Sequence, residues 1–305
     1  MTRGFHQSKP QILTAQHTLH PLRSEPPAWL ERLLPLASAI GYRDGIDAIA
    51  GRDLLRVRLE LPGARAMAAQ ALSASVRDAY LAIGRFIRDA ERHPVRIWNF
   101  VPGIGDRDVL RFGALDRYMV FNRGRFEALA LLELDSLPTS SAVGVASDDL
   151  VIEALATPAP GVRVENPRQI SSWNYSARYG PRPPCFARAT ITTLDGDPWL
   201  LIGGTASIVG EESCHAENLA AQLDETFANI SAVIESQTPR RPDHLELLED
   251  VRVYVARPEH ADAVAEAAFE RFAAAREIEI AQATVCRPEL LIEIEGRVRL
   301  TPRRA

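Results

Sequence analysis

At 305 residues, 46% hydrophobic and 25% charged, the chain has the composition of a globular protein large enough for two cores. Its formal net charge of -5 argues against a nucleic-acid binder, whose surface is usually basic. No apolar run reaches the roughly 18 residues of a membrane span, and Cys185, Cys214 and Cys286 lack the spacing of a disulfide framework or zinc site. With no apolar signal core at the N-terminus, the expectation is a reduced, cytoplasmic protein.

In chain order, residues 1–50 read as an N-terminal extension. "LLRVRLEL" (54–61) alternates as a strand, and residues 66–91 set Leu72, Val76, Tyr80, Ile83 and Ile87 along one side of a helix. "VRIWNFVP" (95–102) is a strand. "DRYMVFNRGRFEALALLE" opens as a loop and becomes a helix, and "SAVGVAS" and "DLVIEAL" close a first half, 51–156. The second half, 157–305, carries an inserted arginine-rich loop at 163–190 with no counterpart in the first. Two strands joined at Asp195-Gly196-Asp197 follow, then a helix with Leu219, Leu223, Phe227, Ile230 and Ile234 at helical spacing. The strand "LEDVRVYVA", an alanine-rich helix, and the strands "EIEIAQATVC" and "ELLIEIEGRVRL" complete it.

The order β-β-α-β-α-β-β is largely repeated in the first half. "SDDLVIEAL" (147–155) lies over "RPELLIEIE" (287–295), matching Glu153 to Glu293 and Ala146 to Cys286. The expected fold is α/β in the α+β sense: two half-sheets, each with helices on one face, packed pseudo-symmetrically. A ligand belongs in the seam between them.

Within the inserted loop, "ISSWNYSARYGPRPPCFARAT" (170–190) holds Trp173, Tyr175, Tyr179, Arg178, Arg182 and Arg188 and no acidic residue. Arginine grips planar carboxylates through paired hydrogen bonds, so arginines interleaved with tyrosines suit a small ligand bearing more than one carboxylate. Glu293 and Glu295 share one face of their strand and Ile292 and Ile294 the other. Either both glutamates face solvent or one of them lies in the seam, partly desolvated, where its raised pKa would let it donate a proton near neutrality. Cys286 is either a small buried hydrophobe or a thiol beside that carboxyl. "GGTASIVG" (203–210) lacks a phosphate-loop signature, and His215 reads as a helix-start or exposed residue. HExxH, nucleophile-elbow and metal-spaced clusters are absent from the sequence, which disfavours metal, nucleotide and acyl-enzyme chemistry.

Five motifs in order, "WNFVPGI" (98–104), "RYMVFNRGR" (117–125), "ENPRQISSWNYSARYGPRPPCFARAT" (165–190), "GGTASIVG" and "CRPELLIEIEG" (286–296), resemble the chorismatases. The resemblance implies a fold like the trimeric YjgF/RidA-type deaminases, duplicated within one chain, and removal of pyruvate from chorismate without metal or organic cofactor. It implies Glu293 as the acid that protonates the enolpyruvyl group. Cys286 implies the branch forming 3-hydroxybenzoate, or 3- and 4-hydroxybenzoate together, through an arene oxide; a small inert residue there accompanies the dihydroxycyclohexadiene product. Gly203 or Gly204 would give the ring space, and Arg178, Tyr179, Arg188, Tyr118, Asn122 and Arg123 would bind substrate. Cys185 stands where the family pattern has serine. With both repeats in one chain, a monomer is expected. The competing readings are a non-catalytic binder of aromatic carboxylates and an imine deaminase.

Overall fold

The computed structural model describes residues 19–34, 38–43, 45–239, 241 and 243–300. Residues 1–18 of the expected N-terminal extension lie outside the described residues. Following a short helix α1 (Ala28–Arg32), the first half comprises β1 (Ser38–Arg43), β2 (Ile46–Ala50), β3 (Leu55–Leu61), helix α2 (Ala69–Asp89), β4 (His93–Pro102), α3 (Val109–Phe112), α4 (Arg117–Leu132), β5 (Thr139–Val145) and β6 (Leu150–Thr157). The second comprises β7 (Val162–Val164), β8 (Ala189–Leu194), β9 (Asp197–Thr205), the short β10 (Ile208–Val209) and β11 (Glu212–Ser213), α5 (Leu219–Glu235), β12 (Leu248–Val255), α6 (Ala261–Arg271), β13 (Glu277–Gln282) and β14 (Ile292–Arg299).

Local chemistry accounts for the boundaries. Asp116 caps α4 by accepting the Met119 N–H at 2.8 Å, so the helix starts at Arg117 rather than after the loop expected from the sequence. Asn218 caps α5 in the same way through Ala221. Asp195 and Gly196, at φ 53° and 83°, form the tight turn between β8 and β9.

Each half forms a six-stranded sheet. Read from its parallel pair, the first runs β5-β4-β6-β3-β2-β1 and the second β13-β12-β14-β9-β8-β7. The two orders correspond strand for strand. Strands β1 and β2, assigned to the N-terminal extension on sequence, therefore belong to the first sheet, and β7, at the start of the inserted loop, is the counterpart of β1. The ladders carry the match to single residues: Trp98 of β4 faces Glu153 of β6, and Tyr254 of β12 faces Glu293 of β14.

Strand alternation sorts side chains into three cores. Outside the first sheet, Leu72, Val76 and Ile83 of α2 pack with Val57, Ile97 and Ile152. Outside the second, Ile230 and Val233 of α5 and Val264 of α6 pack with Val253, Ile292 and Ile294. Between the sheets, Trp98, Phe100 and Leu155 meet Trp199, Leu201 and Tyr254, with Trp29 of α1 wedged among them. The result is a helix-sheet-sheet-helix stack whose middle seam joins the halves. No helix among the described residues is long and apolar enough to cross a membrane.

Candidate active site

At one end of the seam lies a cavity of about 400 Å³ with walls from both halves: the start of α4, Ser140 to Ala142 of β5, the arginine-rich loop, Gly204 of β9, and the segment from Cys286 to Glu293. Glu293 enters it from β14, the seam side of its strand, while Ile292 and Ile294 point into the helix-covered core. Both glutamates of "IEIE" are buried, so the seam reading holds and the solvent-facing one does not.

Glu293 is 5% exposed, and no described residue makes a hydrogen bond or ion pair to its carboxyl. Burial and the neighbouring Glu295 charge raise its pKa to about 8, against the pull of Arg96 and Arg188. At neutral pH the group is a carboxylic acid that can donate a proton. Gly204 lies against it: a Cβ there would stand 2.6 Å from Glu293 Cδ. At Gly203 the added atom would meet the Ser140 carbonyl at 2.9 Å instead, so Gly204 shapes the cavity and Gly203 serves the contact between sheets.

Cys286 lines the same wall. Burial and the Glu293 carboxyl push its thiol up to about 12, so it is a neutral thiol at physiological pH. Tyr118, on the first turn of α4, is raised by burial and by Cys286 and likewise stays protonated. Three neutral hydrogen-bonding groups thus share the wall.

Opposite in character are three arginines with no carboxylate partner among the described residues: Arg125, Arg188 and Arg287, 1%, 5% and 9% exposed. Arg125 donates to Asn122 Oδ1 at 2.8 Å. Arg188 donates to Tyr175 Oη at 2.6 Å and to the Ile170 carbonyl at 3.1 Å. Arg287 holds the Glu211 carbonyl and Ser213 Oγ and stacks 3.9 Å over the Tyr179 ring. A buried guanidinium with no carboxylate within ion-pair distance favours an incoming anion.

Of the residues singled out in the sequence, Glu293, Cys286, Tyr118, Arg178, Tyr179, Arg188 and Gly204 line this cavity. Asn122 is fully buried behind it and orients Arg125. Arg123 is a correction: its side chain is 55% exposed and reaches Glu127 at 3.4 Å on the outer side of α4. Arg178 stands at the rim, bound to Glu212 at 2.5 and 2.6 Å. Part of the arginine-rich loop finds acids elsewhere in the chain, since Arg168 pairs with Glu225, Arg178 with Glu212 and the Ser176 N–H with Glu211. His215 sits at φ 60°, 3.6 Å from Glu225, and Cys185 donates weakly to the Pro183 carbonyl at 3.7 Å outside the lining. Arg125, Arg287 and Ser141 were missed on sequence. The helical period was the available signal for Arg125, and adjacency to Cys286 for Arg287.

Residues 34–156 match the family model described as the N-terminal region of FkbO/Hyg5-like chorismatases. A 3-hydroxybenzoate synthase from Streptomyces hygroscopicus is 36% identical over 215 residues, 67% of this chain and 62% of that protein. A chorismatase from Streptomyces rapamycinicus is 33% identical over 213 residues, 67% of this chain and 63% of its own length. The matched stretch thus spans less than two thirds of either relative. A chorismatase crystal structure superposes with a TM-score of 0.73 and 26% identity, covering 85% of this chain and 78% of the other.

Proposed function

The chain belongs to the chorismatase family, and from that premise we propose that it converts chorismate to 3-hydroxybenzoate and pyruvate in the seam cavity, with Glu293 as general acid. The observation that carries this reading is a carboxyl held protonated to about pH 8 in a cavity lined by three arginines without carboxylate partners. Chorismate carries two carboxylates, which such arginines accept, and an enol ether, which becomes a leaving group once its methylene carbon is protonated.

Arg125, Arg188 and Arg287 hold the two carboxylates, and Glu293 gives its proton to the methylene carbon. The ring C3–O bond then breaks, its electron pair completing the pyruvate carbonyl. The ring 4-hydroxyl oxygen bonds to C3 and releases a proton, which restores Glu293. The resulting arene oxide opens at its C4–O bond, the electron pair staying on the oxygen now held by C3; that oxygen takes up a proton and C3 loses one as the ring aromatises. Substrate and products have the same atoms, so no water is consumed. Cys286, a neutral thiol next to Glu293, assists the opening as a hydrogen-bonding and proton-relaying group rather than as a thiolate. Because the two sheets cover each other's inner faces within one chain, the working unit is a monomer, which light scattering checks.

The test is incubation with chorismate, with products resolved by chromatography and pyruvate assayed in parallel. Equimolar 3-hydroxybenzoate and pyruvate are expected. Unchanged chorismate overturns the activity, and a dihydroxycyclohexadiene carboxylate overturns the branch.

A further inference from the structure

Glu295 lies two residues beyond Glu293 on the same face of β14, and it is 3% exposed. Three groups of the first half reach across the seam to it. Arg96 Nη2 donates to Oε2 at 2.7 Å, Trp98 Nε1 to Oε1 at 2.8 Å, and Ser141 Oγ to Oε2 at 2.5 Å. Ser141 Oγ in turn accepts the Gly204 N–H at 2.9 Å and an Arg96 N–H at 2.5 Å. One donated and two accepted bonds use the full capacity of a hydroxyl. The residue it grips by the backbone, Gly204, is the one whose Cα side abuts Glu293.

Sheet packing does not require this acid. In the ladder, Arg252 of β12 faces Glu295 of β14, while its counterpart Arg96 of β4 faces Leu155 of β6. The equivalent position in the first half is therefore an ordinary member of the apolar seam core. We infer that Glu295 is a positioning residue: locked across the seam by Arg96, Trp98 and Ser141, it is the fixed anion that keeps the proton on Glu293 and, through Ser141, holds the Gly204 backbone against that carboxyl.

The charged and titratable groups around Glu293 agree with that sign. From its own strand comes Glu295, from β4 Arg96, from the arginine-rich loop Arg188, from α4 Tyr118, from the segment before β14 Cys286, and from β12 Tyr254 directly opposite. Cys286, Tyr118 and Tyr254 are all shifted upward and neutral. Of the charged three, the Glu295 carboxylate acts more strongly than either arginine, and burial acts most.

The inference rests on Glu293 as the acid, so the experiment reads Glu293 directly. Its carboxyl is titrated by NMR with ¹³C-labelled glutamate, the signal assigned by its loss in Glu293→Gln. In wild type the midpoint is expected near 8. In Glu295→Gln it falls by roughly one to two pH units, the effect of removing a like charge two strand residues away, about 7 Å by strand rise, at protein-like dielectric. The upper limb of the kcat/KM profile moves down with it. Should Arg96, left without its partner, prevent folding, the pair Arg96→Met with Glu295→Leu reproduces the Leu155 environment. There the midpoint falls by less, because the pull of Arg96 is lost together with the push of Glu295. An unmoved or raised midpoint in either folded variant overturns the inference. Full turnover by Glu293→Gln, with the midpoint shift intact, overturns the acid assignment instead and leaves the Glu295 effect standing.

Discussion

Glu153 and Glu293 occupy the same position in the two sheets, and their cross-strand neighbours decide what each can do. In the first sheet the neighbouring strand offers two arginines: Arg56 Nε bonds one oxygen of Glu153, and Arg58 Nη1 bonds the other at 3.3 Å. In the second, Ile294 faces Thr205 and Gly296 faces Ile202, so two glycines, Gly203 and Gly204, stand where the first sheet has Arg56 alone. The extra residue is a β-bulge. Ala206 then takes the place of Arg58. The bulge and one small residue strip Glu293 of its salt bridges and open the space beside it. Both carboxyls are buried and both are pushed upward by that burial, but Glu153 is pulled back by two guanidinium groups, whereas Glu293 has no hydrogen-bond or ion-pair partner among the described residues. Burial raises both groups, and the loss of the cross-strand cations leaves the Glu293 carboxyl free for a substrate.

The contrast can be broken at several points. Glu293→Gln is expected to lower kcat by about 10³, within the usual span for general acid catalysis, with chorismate still retained by the arginines in equilibrium binding. Ala206→Arg restores the cation that the first sheet supplies. It should bring the Glu293 titration down and reduce turnover by about a hundredfold or more; a variant that still titrates near 8 would separate the position from the effect. Cys286→Ala should leave pyruvate release within about tenfold of wild type, since the thiol acts after the general-acid step, while diverting product to the non-aromatic diol, seen by chromatography. On the other side of the comparison, Glu153→Gln should leave kcat unchanged and lower stability by about 3 kcal/mol, because it weakens a buried charge cluster rather than a reacting group; denaturant unfolding measures this.

The smallest effects concern pH. Glu293 binds a proton on folding at any pH between the unfolded value near 4.3 and about 8, so it stabilises the native state fully at the acid end and progressively less as pH rises towards 8. Glu293→Gln should flatten that decline in thermal melts. In the wild type, kcat/KM should be level below about 8 and fall tenfold per unit above it. A profile falling near pH 5 would contradict an acid kept neutral by its surroundings.

How far this was legible in the sequence depends on whether the signal was local. The repeat was visible because strand and helix periods survive duplication, and the match of 147–155 with 287–295 set Glu153 over Glu293 correctly, as the ladders have it. The first two strands escaped because they are short and β1 is interrupted by an irregular step between Ala39 and Gly41. Arg123 was implied by the family resemblance, and the helical period separates it from Arg125. With the helix running from Arg117, residues 117, 121, 125 and 128 fall on one buried face, and Arg123 lies 200° from Arg125. The loop's acids could not be read locally at all, since Glu211, Glu212 and Glu225 arrive from beyond β9. The Gly-Gly bulge was invisible for a related reason: a bulge is defined by the partner strand, and sequence alone shows only two glycines.

The segment before β1 has a consequence for how the molecule is made. Leu22 bonds the Gln282 carbonyl, Ala28 N–H bonds Glu279 at 2.8 Å across 251 positions, Arg32 pairs with Asp250 and Glu277, and Arg252 reaches back to the carbonyls of Glu25 and Pro26. This early stretch therefore finds its partners only when β12 and β13, more than 200 positions on, have been synthesised. Contacts of such separation close slowly, and until they do the inner face of the first sheet, with Trp98 and Phe100, has nothing to cover it. During synthesis this is a chain whose early half is exposed to aggregation and chaperone capture until the strands carrying Trp199, Leu201 and Tyr254 cover it.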